Sequence, residues 1–496
     1  MGAITHIATT TTGPNLGGIG AITVAVVNGV PKLYVGSEAT SGMSVFTLSQ
    51  TGATYQEQLG YAANRGTEGV CDLDFVTISG QSVLIPSGRF DDRLSLHKID
   101  VDGGFNGLSI LGADPALIGQ LNHSVALQVA GKTFLVSSQY GQAGFQSYQI
   151  RDDLTLQPIK TWGDTAGTHV GDISAMAATM VDGRAYFFAA SAMDAGVTCY
   201  WMGQWGNIKV RGSIGIDDGL PISAPSAIDT VTVAGTTYVI LGSAGSSSLS
   251  LLRMNKWGGL FHEDTYLDSL DTRFQGVQAI KTFEVGNRGF VVVGGADDGI
   301  SLFEVQPDGS LFHIESIADE NNTTLQDVSQ IEVVVIGSQI QLIVAGSETG
   351  FTQFSISLGN IANSKVGTDL GDTLTGSSVG DLIFGRDGDD TLYGLGGADR
   401  IIDGAGVDTM VGGSGADVFV FVDDGRLDSV TDFNLSQDRL DLSHFAYLYT
   451  LDQLEITQKA YGVLITFGDD RFRIESHDGH QLLISELTTD HFIFTM

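Results

Sequence analysis

One position in this chain comes back every 51 or 52 residues. It is held by Phe46, His97, Tyr148, Tyr200, Leu252, Phe303 and Phe354, with steps of 51, 51, 52, 52, 51 and 51. A turn residue, Gly29, Gly80, Gly131, Gly183, Gly235, Gly286 and Gly337, repeats with the same six steps. Two independent markers in register across seven units mark a repeat architecture. In the sixth unit "VQAIKTFEV" leads to a turn at Gly286, and then come "GFVVVGG", "GISLFEV" and "DGSLFHI". These read as four short strands joined by hairpin-type turns, and helical periodicity is nowhere convincing.

Four strands repeated seven times predict an all-β, seven-bladed β-propeller over residues 1–358. An open β-solenoid is the alternative, but solenoid turns are usually shorter. The seventh unit supplies only three strands before the composition changes. The segment Ala3–Thr10, "AITHIATT", has no unit of its own and is expected to pair with Thr352–Leu358. That pairing would close the ring and remove its exposed sheet edges. The wording "LYVGSEATSGMSVFTL" at Leu33–Leu48 resembles the repeat consensus of the seven-bladed lactonase family, which includes 6-phosphogluconolactonases. The resemblance covers the repeat alone and no catalytic motif.

From Gly367 the period drops to nine: GTDLGDTLT, GSSVGDLIF, GRDGDDTLY, GLGGADRII, DGAGVDTMV, GGSGADVFV. Asp fills the sixth place throughout, as Asp372, Asp381, Asp390, Asp399, Asp408 and Asp417. An apolar residue fills the eighth: Leu374, Ile383, Leu392, Ile401, Met410 and Phe419. A glycine-rich acidic linker has no reason to keep that apolar place. The pattern resembles G-G-x-G-x-D-x-U-x, the signature of RTX calcium-binding repeats. Calcium is a hard ion that takes six to eight oxygens, many of them backbone carbonyls, which glycine-rich loops can aim inward. The resemblance implies a parallel β-roll over residues 364–421, two nonapeptides per turn, so that each unit stacks on the next but one. It also implies several bound calcium ions, held by the six aspartates in loops shaped by Gly385, Gly388, Gly394, Gly397, Gly406, Gly412 and Gly415. Leu370 and Val379 stand where the fourth-place glycine is expected, so the first two loops are expected to bind weakly or only cap the roll. Asp403 replaces the first glycine of the fifth unit.

Residues 359–363 read as a linker, and 422–496 as a C-terminal β cap with a secretion-signal region. The segment "DSVTDFNLSQDRLDLSHF" at Asp428–Phe445 resembles the stretch that comes after the repeats in many RTX proteins. Ser364–His444 holds 16 Asp against five Lys or Arg, a net of −11. The whole chain carries 58 acidic and 24 basic side chains, a net of −34, which makes nucleic acid and anionic membranes poor partners and cations natural ones. No apolar run is long enough to span a membrane. The N-terminus lacks the basic and apolar regions of a cleavable signal peptide. Two distant cysteines, Cys71 and Cys199, are expected as buried thiols rather than a disulfide. The RTX resemblance implies calcium-dependent folding outside the cell, after export by a type I secretion system, from a Gram-negative bacterium.

Chemistry on the propeller is harder to read. The loops that open on one face carry Glu38, Asp72, Arg89, Tyr140, Asp194 and Arg273, with His123 and His169 before the inner strands of adjacent blades. His123, His169 and Asp172 are the candidates for a catalytic site, although any soluble propeller has a polar rim there. Two functions remain open: an extracellular binding or scaffolding module for cell surface, matrix or carbohydrate, or a lactonase-like hydrolase or lyase.

Overall fold

The computed structural model describes residues 4–62, 67–91, 94–110, 120–359 and 361–494. Seven four-stranded antiparallel sheets form the first part, spanning residues 19–59, 70–110, 121–162, 173–215, 225–267, 279–318 and 330–356. These are blades 1 to 7 of a β-propeller. Their first strands touch one another all the way round, including the step from blade 7 to blade 1, and line the central axis. The second and third strands carry the core: Val30–Ser37 and Gly42–Ser49 are almost wholly buried. The outermost strands are half exposed, as at Leu156–Trp162.

Both sequence markers have structural causes. In blades 1 to 5 the glycine is the second residue of a two-residue turn, as in Asn28–Gly29, where φ is 48° and 78°. Such type I′ turns match the right-handed twist of the strands they join. The other marker is the buried residue just after a bulge between the third and fourth strands, seen before Phe46, Tyr148, Tyr200, Leu252 and Phe303. The bulge adds local twist. Several of these side chains then reach the preceding blade. Phe46 meets Phe351 of blade 7 at 5.3 Å, and Tyr200 meets Phe145 of blade 3 at 5.1 Å.

Ile4–Thr10 is the fourth strand of blade 7, running antiparallel to Phe351–Ile356 from the pair Ile4↔Ile356 to Thr10↔Phe351. Ala3, placed in this strand by sequence, lies outside the described residues. Ile4 is buried in the core shared by blades 6 and 7, and its amide donates to Glu315 Oε2 at 2.6 Å. Deleting residues 1–12 exposes that edge, so the thermal midpoint is expected to fall by roughly 5 °C or more. An unchanged midpoint in a calorimetric scan would contradict the closure.

Beyond the propeller the strands become parallel. One ladder joins Lys365–Val366, Leu382–Phe384, Arg400–Ile402, Val418–Val420 and Arg439–Asp441; the other joins Thr373–Ser377, Thr391–Gly396, Thr409–Ser414 and Leu427–Phe433. Leu374 pairs with Leu392 and Leu392 with Met410, so each nonapeptide stacks on the next but one. The eighth-place residues form a single thin core, which runs on through Phe421, Val430 and Phe433 at the end of the roll into Phe472 of the cap. The cap ends in a meander, Glu455–Lys459, Gly462–Phe467 and Asp470–Ser476, whose last strand joins the second ladder.

The roll is bolted to blade 6. Arg288 grips Glu304 at 2.5 and 2.8 Å and donates to Gly380 O at 3.1 Å. Arg400 donates to Gln306 Oε1 at 3.0 Å and Asp441 Oδ2 at 2.8 Å, with its guanidinium 3.9 Å from the Phe312 ring centre. Both cysteines are free, Cys199 buried and Cys71 half-buried. Among the described residues no helix is long and apolar enough to cross a membrane.

Candidate metal centre

From the third repeat on, the parallel stacking sets the place of the sixth-position aspartate. Its Oδ1 accepts the backbone N–H of the aspartate two repeats earlier. Asp390 accepts from Asp372 at 2.6 Å, Asp399 from Asp381 at 2.8 Å, Asp408 from Asp390 at 2.6 Å and Asp417 from Asp399 at 2.9 Å. Each carboxylate is thereby locked in one orientation and its other oxygen faces the loop. Oδ2 of Asp390, Asp399, Asp408 and Asp417 is buried with no hydrogen-bond partner. These residues are at most 2 % exposed. Orphaned buried carboxylate oxygens are costly unless a cation meets them.

The loops leave no room for a side chain at their fourth places. A Cβ on Gly415 would lie 1.6 Å from Gly397 O, and one on Gly388 would lie 2.5 Å from the carbonyl carbon of Leu370. These fourth-place glycines take positive φ, 114° at Gly388 and 146° at Gly415. Gly397 and Gly406 do the same in the repeats between them. At the second place even Arg386 and Leu395 adopt the left-handed conformation that Gly404 and Gly413 hold more easily. First-place glycines sit directly under the carboxylates, as Gly385, Gly394 and Gly412 do under Asp390, Asp399 and Asp417.

The first two repeats are built differently, as Leu370 and Val379 imply. Asp372 Oδ2 is taken by the amide and hydroxyl of Thr368 at 2.6 and 2.8 Å. Asp381 Oδ2 is taken in the same way by Ser377. Asp381 keeps a buried orphan in Oδ1, whereas Asp372 is half exposed.

Burial dominates the titration of the inner rungs. It pushes Asp399 and Asp417 up to about 7 and Asp408 up to about 8; the accepted N–H opposes the shift, and neighbouring carboxylates add to it. Asp390 is raised for the same reason. These are oxygen sites of the hard-cation type, arranged so that a divalent ion supplies the charge they lack.

A family described as the RTX calcium-binding nonapeptide repeat (4 copies) matches residues 366–401 and, in an overlapping register, 384–419. The segment is an RTX calcium-binding repeat array. A comparison with curated proteins finds no match. Among solved structures, one titled "Structure of Dos1 propeller" aligns with a TM-score of 0.45 and 10 % identity, covering 66 % of this chain and 76 % of that one.

The RTX ladder extends further than its ruler. Asp428 Oδ1 accepts from Asp408 N at 2.9 Å, and Asp438 Oδ1 accepts from Asp417 N at 3.0 Å. These rungs come after 20 and 21 residues instead of 18, which puts them out of step with a nine-residue period. The signal that survives is the local Asp-x-apolar triplet, Asp428-Ser429-Val430 and Asp438-Arg439-Leu440.

On the propeller, His123 lies within the inner strand Leu121–Val129 rather than before it, in the fields of Arg89 and Asp172. Burial first, and then Arg89, lower its pKa to about 4, so its ring is neutral at physiological pH. His169 goes elsewhere. Its Nδ1 meets Ser213 Oγ at 2.8 Å, and its ring packs on Gly196 and Gly215 in the outer half of blade 4. Asp172 Oδ1 accepts the Gly141 amide at 3.2 Å. Asp172 thus acts on His123 only through its field, and His169 makes its own contacts within blade 4. Loops of blades 1, 2, 6 and 7 form an open depression of about 440 Å³ lined by Glu38, Phe90, Gln278, Asp327 and Ser347.

Proposed function

We propose that this chain is an exported protein whose roll folds on calcium outside the cell, and whose propeller serves there as a binding or scaffolding module. The observation that carries the reading is the row of buried, unpartnered Oδ2 atoms from Asp390 to Asp417. A roll with that row is incomplete without cations, and millimolar calcium is available outside cells rather than inside. In this reading Asp390, Asp399, Asp408 and Asp417 hold the ions with loop carbonyls, while Asp381 and Asp372 contribute less. RTX repeats typically belong to secreted proteins, and a type I exporter reading an uncleaved C-terminal signal is the route that fits.

The open depression between blades 1, 2, 6 and 7 supports a binding module. Its lining sets the exposed Phe90 beside Asp327 and a Glu38 already paired with Arg89 at 2.7 Å, a combination suited to a neutral ligand with an apolar face. The alternative, a lactonase-like hydrolase or lyase, draws on His123 in the fields of Arg89 and Asp172.

Export is tested by co-expressing the chain with a type I secretion apparatus. The full-length protein is expected in the calcium-containing medium, and a version lacking residues 422–496 is expected to stay in the cells. Equal secretion of both would remove the C-terminal signal from the reading.

A further inference from the structure

We propose that Asp403 joins the ladder rungs Asp408 and Asp428 in a three-carboxylate cation site, created by the one residue that departs from glycine at the first place of the repeats. It would take a hard cation, calcium or a trivalent lanthanide, more tightly than the regular rungs. The proposal rests on the calcium reading of the roll and adds to it a ligand outside the repeat pattern.

The geometry begins with the glycines. A Cβ built at a first-place glycine points straight at the sixth-place carboxylate of its own repeat. It would lie 2.4 Å from Asp390 Oδ2 at Gly385, 2.3 Å from Asp399 Oδ2 at Gly394 and 2.5 Å from Asp417 Oδ2 at Gly412. The fifth repeat has Asp403 at that place, so a second carboxylate is driven in beside Asp408. A third arrives from the first strand after the repeats, where Asp428 stacks on Asp408 through the 2.9 Å bond to its amide. One ligand oxygen from each of the three lies within 4.8 Å of the others, and among the described residues no other three acidic, histidine or cysteine groups converge in this way.

Two of the oxygens have nothing to bind. Asp403 uses Oδ1 to accept the amides of Gly404 at 2.6 Å and Val422 at 3.0 Å, which fixes the side chain. Its Oδ2 and that of Asp408 are buried without a partner, in residues 0 % and 1 % exposed. Three buried carboxylates repel one another strongly unless a positive charge sits among them. Calcium affinity rises with ligand charge and site rigidity, and this site has one carboxylate more than a regular rung and a side chain already anchored.

The plain alternative is that Asp403 is only a tether for Val422 where the repeats end. Asp403→Asn separates the two, because it keeps the Oδ1 acceptor and removes the charge. Asp403→Gly goes further and restores the residue of the repeat. Full-length protein, stripped and then titrated with calcium chloride by calorimetry and with terbium(III) by luminescence, is expected to show one tightest class of site. Both variants are expected to weaken that class at least about tenfold, and to lower by one the ions retained at limiting calcium. Circular dichroism at saturating calcium checks that the variants remain folded. If both variants keep the tightest class, or Asp403→Gly binds more tightly, the site is wrong while the calcium roll stands. If the unaltered chain binds no calcium, both readings fall.

Discussion

In chelator at pH 8, residues 359–496 expressed alone are expected to show little β-signal by circular dichroism, and to gain it as calcium rises into the millimolar range. With a dissociation constant of roughly 1 mM per site and about 10 mM calcium, each site contributes about 1.4 kcal/mol. Four such sites give roughly 6 kcal/mol, comparable to the whole stability of a small domain. At micromolar calcium the sum is near zero and burial of the carboxyls opposes folding. Acid should act as a partial substitute. The inner carboxyls titrate at about 7 to 8 in the cation-free fold, far above the unfolded value near 4. The folded state therefore binds more protons, so its stability is greatest below about pH 4 and is lost as pH rises through 7 to 8. Full β-structure in chelator at pH 8 would show that the ladder is no folding switch.

The second large effect is expected at Arg400. Its substitution by alanine strands the buried carboxylate of Asp441, which is 1 % exposed, and removes the contacts with Gln306 and Phe312 that hold the roll to blade 6. Breaking a buried ion pair from one side costs about 3–5 kcal/mol. Denaturant unfolding in saturating calcium reads this directly. Adding Asp441→Asn to Arg400→Ala should recover part of the loss, because the stranded charge goes with it. A loss below about 1 kcal/mol would mean that the junction carries little.

The large architecture is legible in the chain because its signals are periodic. Gly29 and its six equivalents each mark a hairpin that needs positive φ, and Asp390 and its neighbours each mark a rung, so independent copies reinforce one another. The illegible parts are aperiodic. Asp428 and Asp438 continue the ladder after 20- and 21-residue steps, because the loops that carry them have lengthened. Asp403 reads as a defect in the consensus, and only the direction of the first-place Cβ shows where its carboxylate goes. His123 and His169 both read as preceding an inner strand, yet His123 lies within its strand and faces the fields of Arg89 and Asp172, while His169 stays in the loop and wedges against Gly196 and Gly215. Side-chain direction on a bulged strand is set by packing, which spacing alone does not encode.

The pairing of Ile4–Thr10 with Phe351–Ile356 also fixes an order of assembly. Blades 1 to 6 are built from strands adjacent in sequence, so each can form by local hairpin closure. Blade 7 needs two segments from opposite ends of the propeller, and drawing together a loop of that length costs about 5 kcal/mol of chain entropy before any contact repays it. Its sealing is therefore the late, slow event of folding, and a slow refolding phase should disappear when the first twelve residues are removed. A polypeptide threaded through a channel tail first would have its roll and six blades outside while the clasp was still in transit. The ring would lock only once Ile4–Thr10 had emerged, so completion of the propeller would itself report that the clasp had passed.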